Sequence, residues 1–192
     1  MNKIPAKKLN EMSLEELWQL FPIKLTPHDE KMKTYYSEME ERLKTLFGGR
    51  KIYRISHIGS TAIKGIWAKP IVDILIESEK ENLQVLAELL EKDGFIIMSN
   101  AGERISLNFG YTETGFAEKV YHLHLRRRGD NDELYFRDYL NEFEETAKKY
   151  EQLKLQLWKQ YEFNRDAYTT AKTDFVTKYT LLAKKRYNHR YD

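Results

Sequence analysis

His57-Ile58-Gly59-Ser60-Thr61 and the run Lys69-Pro70-Ile71-Val72-Asp73-Ile74-Leu75-Ile76-Glu77 hold residue types that could do phosphate chemistry. A Gly-Ser turn where a strand gives way to a short helix presents free backbone N–H groups, and these suit a phosphate. The apolar strand that follows carries one acid in its interior. Buried carboxylates are rare unless paired. A phosphate seat beside an acid is what nucleotide–metal chemistry needs. Side chains alternate along a strand, so Val72, Ile74 and Ile76 share one face, which should lie against helices. Ile71, Asp73, Leu75 and Glu77 share the other. Glu77 sits ~13 Å along the strand from Asp73, too far to share a metal. Position 75, ~6.6 Å along, would suit a second ligand, but Leu75 has no lone pair to offer. The plainer reading is that Asp73 holds the Gly-Ser turn by hydrogen bonds.

Tyr121-His122-Leu123-His124-Leu125-Arg126 is the second constellation. On a strand His122, His124 and Arg126 share a face, where two imidazoles could bind one transition metal or flank an anion with Arg126. Two hydrogen-bonding sheet histidines are the plainer alternative, and His57 could join the group. Arg137 and Asp138 are neighbours in sequence, so they should point apart and need separate partners. Arg137 could reach a phosphate or form a salt bridge. Lys154 and Lys172 lie on helices that could fold over the site, although surface lysine is the ordinary case. Tyr150, Tyr161 and Tyr168 could stack on a base.

The elements that must position these residues are legible in outline. Residues 1–12 are polar and expected to fray. Ser13 with Glu16 reads as a capping box opening a short helix that Pro22 ends. Thr26-Pro27 reads as the start of a second helix, running to Gly48-Gly49. Strands are expected at 51–58, 70–76 and 95–98, a helix at 79–92, and a hairpin of 104–109 with 119–126. Leu134, Leu140, Phe143, Tyr150, Leu153, Leu157 and Trp158 suggest one long apolar helical stripe, with a break near Asn164-Arg165-Asp166 before a last helix. This is an α+β layout in one structural unit: an N-terminal extension with a short helix at 1–25, an α/β core at 26–130, and a C-terminal helical part at 131–192 packed on the core.

The chain has 192 residues and no cysteine, which removes disulfides, thiol catalysis and thiolate metal sites and fits a cytoplasmic protein. No apolar run reaches the roughly 20 residues of a membrane span. The start, Met1 to Lys8, lacks the apolar core of a signal peptide. The formal net charge is +2, made of +6 over residues 147–192 (11 Lys and Arg against 5 Asp and Glu) and −4 over the rest. A basic C-terminal part could face an anionic substrate or be a solvated helical face. No membrane partner is expected, nor a nucleic acid; a homo-oligomer is left open.

The order His57-Ile58-Gly59-Ser60-Thr61, Gly65, Ala68-Lys69-Pro70-Ile71-Val72-Asp73-Ile74-Leu75 resembles the signature of the GrpB family. The match continues through His122-Leu123-His124-Leu125, Phe136-Arg137-Asp138-Tyr139-Leu140, Tyr150, Leu153-Lys154, Tyr168, Lys172 and Phe175. That family resembles the polymerase-β-like nucleotidyltransferases. The resemblance implies a small mixed or antiparallel nucleotidyltransferase-like sheet with flanking helices. It also implies a nucleoside triphosphate, or another phosphorylated small molecule, as partner. Gly59 and Ser60 match the phosphate-holding turn, with Thr61 and Lys69 in support. Asp73 matches the first metal-binding acid and is the expected catalytic group with His124. His122 and His124 stand where a further acid belongs, as expected metal ligands. Arg126 and Arg137 would offset phosphate charge. The implied metal is Mg²⁺ or Mn²⁺, while an Asp with two His also suits Zn²⁺ or Fe²⁺. Nucleotidyl transfer is the first expectation. A catalytically reduced nucleotide- or anion-binding module is the alternative, and a hydrolase built on His57, Asp73, His122 and His124 is a third.

Overall fold

The computed structural model describes residues 7–191; the first six residues of the expected N-terminal extension lie outside them. Within the stretch expected to fray, Leu9–Glu11 forms one 3-10 turn. Helix α1 (Leu14–Leu20) opens on the expected box: Ser13 Oγ accepts from Glu16 N at 3.2 Å, and Glu16 accepts from Ser13 N at 2.6 Å.

Helix α2 spans Lys31–Phe47. Its expected start at Thr26-Pro27 is corrected. Thr26 instead exchanges two backbone hydrogen bonds with Ala68, at 2.8 and 2.9 Å, and Asp29 Oδ1 accepts from Lys31 N. A residue bridged to another strand-like segment is not free to begin a helix. The bridge also ties Lys69 and the entry to the acid-bearing strand back onto the N-terminal segment.

Five strands follow: β1 (Ile52–Ile58), β2 (Val72–Ser78), β3 (Ile96–Asn100), β4 (Arg104–Thr112) and β5 (Gly115–Arg127). Helix α3 (Lys80–Lys92) lies between β2 and β3. The sheet order is β1-β2-β5-β4-β3, and β2 with β5 is its parallel pair. This is the mixed α+β sheet that the sequence implies. The hairpin strands are longer than expected because β4 and β5 stay paired up to Thr112 and Gly115, past a bulge at Gly110.

One face of the sheet packs on α2 and α3. Val72, Ile74, Ile76, Leu107, Leu123 and Leu125 meet Met39, Leu43, Leu83, Leu86 and Leu90 there. The helical residues recur at three- and four-residue spacing, which is why these segments fold as amphipathic helices. Fully burying each such side chain contributes about 1.5–3 kcal/mol.

The other face carries the chemistry-bearing residues and is covered by α4 (Asp132–Glu142), α5 (Glu144–Tyr161), α6 (Arg165–Thr170) and α7 (Thr173–Tyr187). The single long stripe expected here is corrected. Phe143 leaves helical dihedrals (φ −110°, ψ 84°), its N–H closes α4 on Tyr139 O, and its C=O starts α5. Neither Gly nor Pro marks the joint. Asn164 caps α6 through Ala167 N at 3.0 Å, at the expected break.

Glu77, which shares the Asp73 face, is buried for a structural reason. It accepts from Arg54 Nη1 at 2.7 Å, Gly129 N at 2.9 Å and Asn131 Nδ2 at 3.0 Å, fastening β1 and the β5–α4 connection to β2. Glu77→Gln replaces a charge-assisted acceptor and should cost about 2–3 kcal/mol. Urea denaturation measures it; a loss below about 0.5 kcal/mol would contradict this role.

Candidate functional site

Parallel pairing sets Asp73 opposite His122 and Leu75 opposite His124, so the acid and both histidines meet on one face. Asp73 Oδ1 lies 3.2 Å from His122 Nδ1 and 3.5 Å from His124 Nε2. The protons on both rings follow from their other partners. Arg126 Nη2 contacts His124 Nδ1 at 3.2 Å, and guanidinium can only donate. Nδ1 of His124 is therefore the acceptor, and Nε2–H points at Asp73. Arg165 Nη1 donates to Tyr111 OH at 3.3 Å, and Tyr111 OH meets His122 Nε2 at 2.8 Å. Tyr111 then donates to Nε2, and His122 Nδ1–H donates to Asp73. The polar chain runs inward from both sides and ends on the carboxylate.

Burial raises the Asp73 pKa, but the hydrogen bonds from His122 and His124 outweigh it and hold the carboxyl well below its usual range. Burial lowers His122, against the pull of Asp73. Both signs fit an anion held by the N–H of a neutral His122 imidazole.

This chemistry bears on the expected metal. A ligating imidazole needs a lone pair facing the metal, whereas both rings present N–H to Asp73. Leu75, where a second acid would stand, is fully buried against Ile58 and Leu134. Among the described residues no three His, Asp or Glu side chains are arranged to hold a metal ion. A three-ligand centre of Asp73, His122 and His124 does not fit. Asp73 is left as one carboxylate anchor, with any further oxygens coming from a ligand.

The Gly-Ser turn lies directly over Asp73. Gly59 has φ +69°, and a Cβ there would lie 2.8 Å from Asp73 Cγ. Ser60–Ala62 is a single 3-10 turn, not the start of a longer helix. Ser60 and Tyr150 both line the cleft over Asp73. Thr61 Oγ1 donates to Ile71 O at 2.9 Å and accepts from His57 Nε2 at 2.9 Å, so its hydroxyl staples the turn to the entry of β2. His57 stacks on Tyr36 of α2, on the sheet face away from Asp73. Burial pushes His57 down to about 4. The group expected for a hydrolase therefore loses His57.

A cleft of about 510 Å³ opens over this face. The turn, Asp73, His122 and His124 form its floor, and Tyr150, Lys154, Arg165, Tyr168 and Lys172 its helical wall, with Lys69 beside the turn. Lys154 is only 1% exposed and donates to Trp67 O. Its ammonium lies 4.9 Å from the Tyr150 ring centre; Lys172 and Lys69 lie 4.3 and 5.6 Å from that of Tyr168. Burial, aided by neighbouring cations, pushes Lys69 and Lys154 down to about 7. Lys172 goes to about 8, also chiefly by burial. None of these lysines, nor Arg165, has a carboxylate partner within ion-pair distance among the described residues.

Two expected phosphate contacts are corrected. Arg126 is buried behind His124, bonded to the carbonyls of Ile105 and Leu125. Arg137 donates to His57 O at 2.8 Å and to Asp138 at 2.8 Å. Neither lines the cleft. Arg137 and Asp138 were expected to point apart, yet they bond to each other because the long guanidinium folds back along the helix. Tyr161 also lies outside the cleft lining.

A model of the GrpB protein family matches residues 22–181. The chain belongs to the GrpB family. Glutamate-rich protein GrpB of Alkalihalophilus pseudofirmus is 36% identical over 79% of this chain and 90% of its own length. UPF0157 protein YqkA of Bacillus subtilis is 32% identical over 91% of this chain, which spans about half of YqkA. The crystal structure of conserved protein GrpB from Enterococcus faecalis superposes with a TM-score of 0.74 at 26% identity, over 85% of this chain and 99% of that one. The GrpB fold thus brings Gly59, Ser60, Lys69, Asp73, His122 and His124 to one cleft. It adds Arg165 from α6, which the sequence did not single out. Tyr150/Lys154 and Tyr168/Lys172 share an i, i+4 spacing, a repeated signal that marks Lys154 and Lys172.

Gly59→Ala should destabilise by about 2 kcal/mol or more, from the left-handed backbone and the clash with Asp73. The cost should shrink in an Asp73→Ala background, which urea titrations of the four proteins would show; equal costs would contradict the packing described.

The lysines also give a pH dependence. Their folded pKa values lie below the ordinary 10.5, so between about pH 7 and 10 the unfolded chain binds more protons and stability rises with pH. Thermal midpoints in phosphate-free buffer should increase from pH 7 to 9. Lys69→Met and Lys154→Met should flatten that slope; an unchanged slope would contradict burial as the cause.

Proposed function

We propose that this GrpB-family protein binds a nucleoside triphosphate, or a closely related phosphorylated small molecule, in the cleft over Asp73. One observation carries the reading: Lys69, Lys154, Arg165 and Lys172 converge there with no carboxylate within ion-pair distance among the described residues. Lys154 is buried and the other three are half-buried; cations withdrawn from water are normally paired, so an anionic ligand is the natural partner. Gly59 and Ser60 would seat phosphate oxygens. The rings of Phe136, Tyr150 and Tyr168 line the same cleft and offer apolar surface to a base. A volume near 510 Å³ falls within the range of small-ligand sites.

Nucleotidyl transfer is the second reading, favoured by an ionised Asp73 on the strand next to the turn. An acceptor oxygen would bond to the α-phosphorus and release its proton to solvent while the bond to the pyrophosphate oxygen breaks, and the four cations would take up the charge gathering on that leaving group. A carboxylate held so far below its usual range is a poor proton acceptor. Asp73 would act through its charge and not as a general base.

Titration calorimetry of the full chain with ATP, GTP, CTP and UTP, with and without Mg²⁺ or Mn²⁺, tests the binding. At least one nucleotide should bind, and Lys172→Met should weaken it roughly tenfold or more. Failure of every nucleotide to bind folded protein would end the reading. Release of pyrophosphate from the bound nucleotide would separate transfer from binding alone.

A further inference from the structure

We infer that the cleft takes the polyphosphate part of its ligand as a bare anion, held by Lys69, Lys154, Arg165 and Lys172 without a divalent cation. The inference rests on the reading of this cleft as a phosphate site and adds what neutralises the phosphate.

Three features of the floor point this way. Asp73 is the carboxylate beside the turn, and its Oδ1 already receives two imidazole N–H groups. Those protons are fixed from behind, by Arg126 on one ring and by the Arg165–Tyr111 pair on the other. Turning either lone pair towards a metal would set an N–H against a guanidinium donor or break the Tyr111 bond. The strand position where a second acid would have to stand is Leu75, sealed in apolar packing.

The wall supplies what the floor lacks. Two lysines rest against the Tyr168 ring and one against Tyr150. A tyrosine face holds an ammonium group more weakly than a carboxylate does. The lysines are thus kept in place without being neutralised. Over the whole lining, Lys69, Arg104, Lys154, Arg165 and Lys172 stand against Asp73, Asp132 and Glu133, an excess of two positive charges when every cation is protonated, and the four cations named above lie within ion-pair distance of no carboxylate among the described residues. A divalent ion on the phosphates would compete with these lysines for the same oxygens.

The direct probes are sodium tripolyphosphate and pyrophosphate, titrated calorimetrically into the full chain at pH 7 in EDTA and again in excess Mg²⁺. Tripolyphosphate should bind in EDTA, and Mg²⁺ should leave the affinity unchanged or weaken it. Lys69→Met and Arg165→Met should each weaken binding roughly tenfold. Asp73→Asn should bind as well or several-fold more tightly, since it removes a repelling charge. Circular dichroism establishes that each variant is folded, and Arg165→Met serves if Lys69→Met is not. Binding that needs Mg²⁺ or Mn²⁺, loss of binding in Asp73→Asn, or no tripolyphosphate binding at all would overturn the inference. Nucleotides that bind only with metal would sink this inference and leave the functional reading standing. Tripolyphosphate bound in EDTA with every nucleotide refused would do the reverse.

Discussion

The arrangement depends on one carboxylate kept ionised inside a sheet. Among the described residues Asp73 has no ion-paired lysine or arginine; its charge is held by two N–H groups from the next parallel strand. Parallel register makes this possible, because it sets Asp73 beside His122 with His124 two residues on. Each ring is then oriented by a cation behind it, Arg126 or, through Tyr111, Arg165. Removing any member would leave a buried donor or acceptor unpaired, at a cost of about 1–3 kcal/mol. The turn is built around the same group: Gly59 is glycine because the carboxylate occupies the space a side chain would need.

Around that centre the molecule divides its charges by role. The buried acid that serves only the fold, Glu77, is paired with Arg54 and bonded on both oxygens. Asp138 is likewise bonded to Arg137, Arg190 and Tyr191. The cleft lysines have no such partners among the described residues and lean on tyrosine rings. The same chain knows how to neutralise charge and does not do so over Asp73. That contrast, more than the number of cations, distinguishes a ligand-facing surface from a structural one.

Much of this was legible in the sequence, and the limits have physical causes. Period-two alternation in β2 gave the faces correctly, because a strand's side chains must alternate and one face was wholly aliphatic. The capping box at Ser13 and the break at Asn164 were readable because their signals are local. The joint at Phe143 was not, since it is made by two backbone hydrogen bonds with no Pro or Gly to mark it. The start of α2 was misplaced for a related reason: Thr26 is claimed by Ala68, which lies far along the chain. Of the site, the floor was visible because its residues sit on two strands with distinctive motifs. Of the wall, Lys154 and Lys172 were named as able to fold over the site but carry the same helical pattern as solvated lysines, and Arg165 was not singled out. The excess of +6 in residues 147–192 was the one bulk sign that these helices face an anion.

Arg126 and Arg137 show why charge alone misleads. Both lie near the cleft in sequence motif and in space, and both looked like phosphate contacts. Each instead commits terminal guanidinium donors to backbone carbonyls or a neighbouring side chain, although the Nε of Arg126 is buried without a partner. A guanidinium group already engaged in this way gains little by turning to a ligand, since the bonds it would make replace bonds it already has. Among the described residues Lys69 and Lys172 make no hydrogen bond to a carbonyl or carboxylate and touch only the Tyr168 ring, so a phosphate would add hydrogen bonds without breaking any. In this fold a cation's existing partners, more than its distance from Asp73, decide whether it serves the ligand or the scaffold.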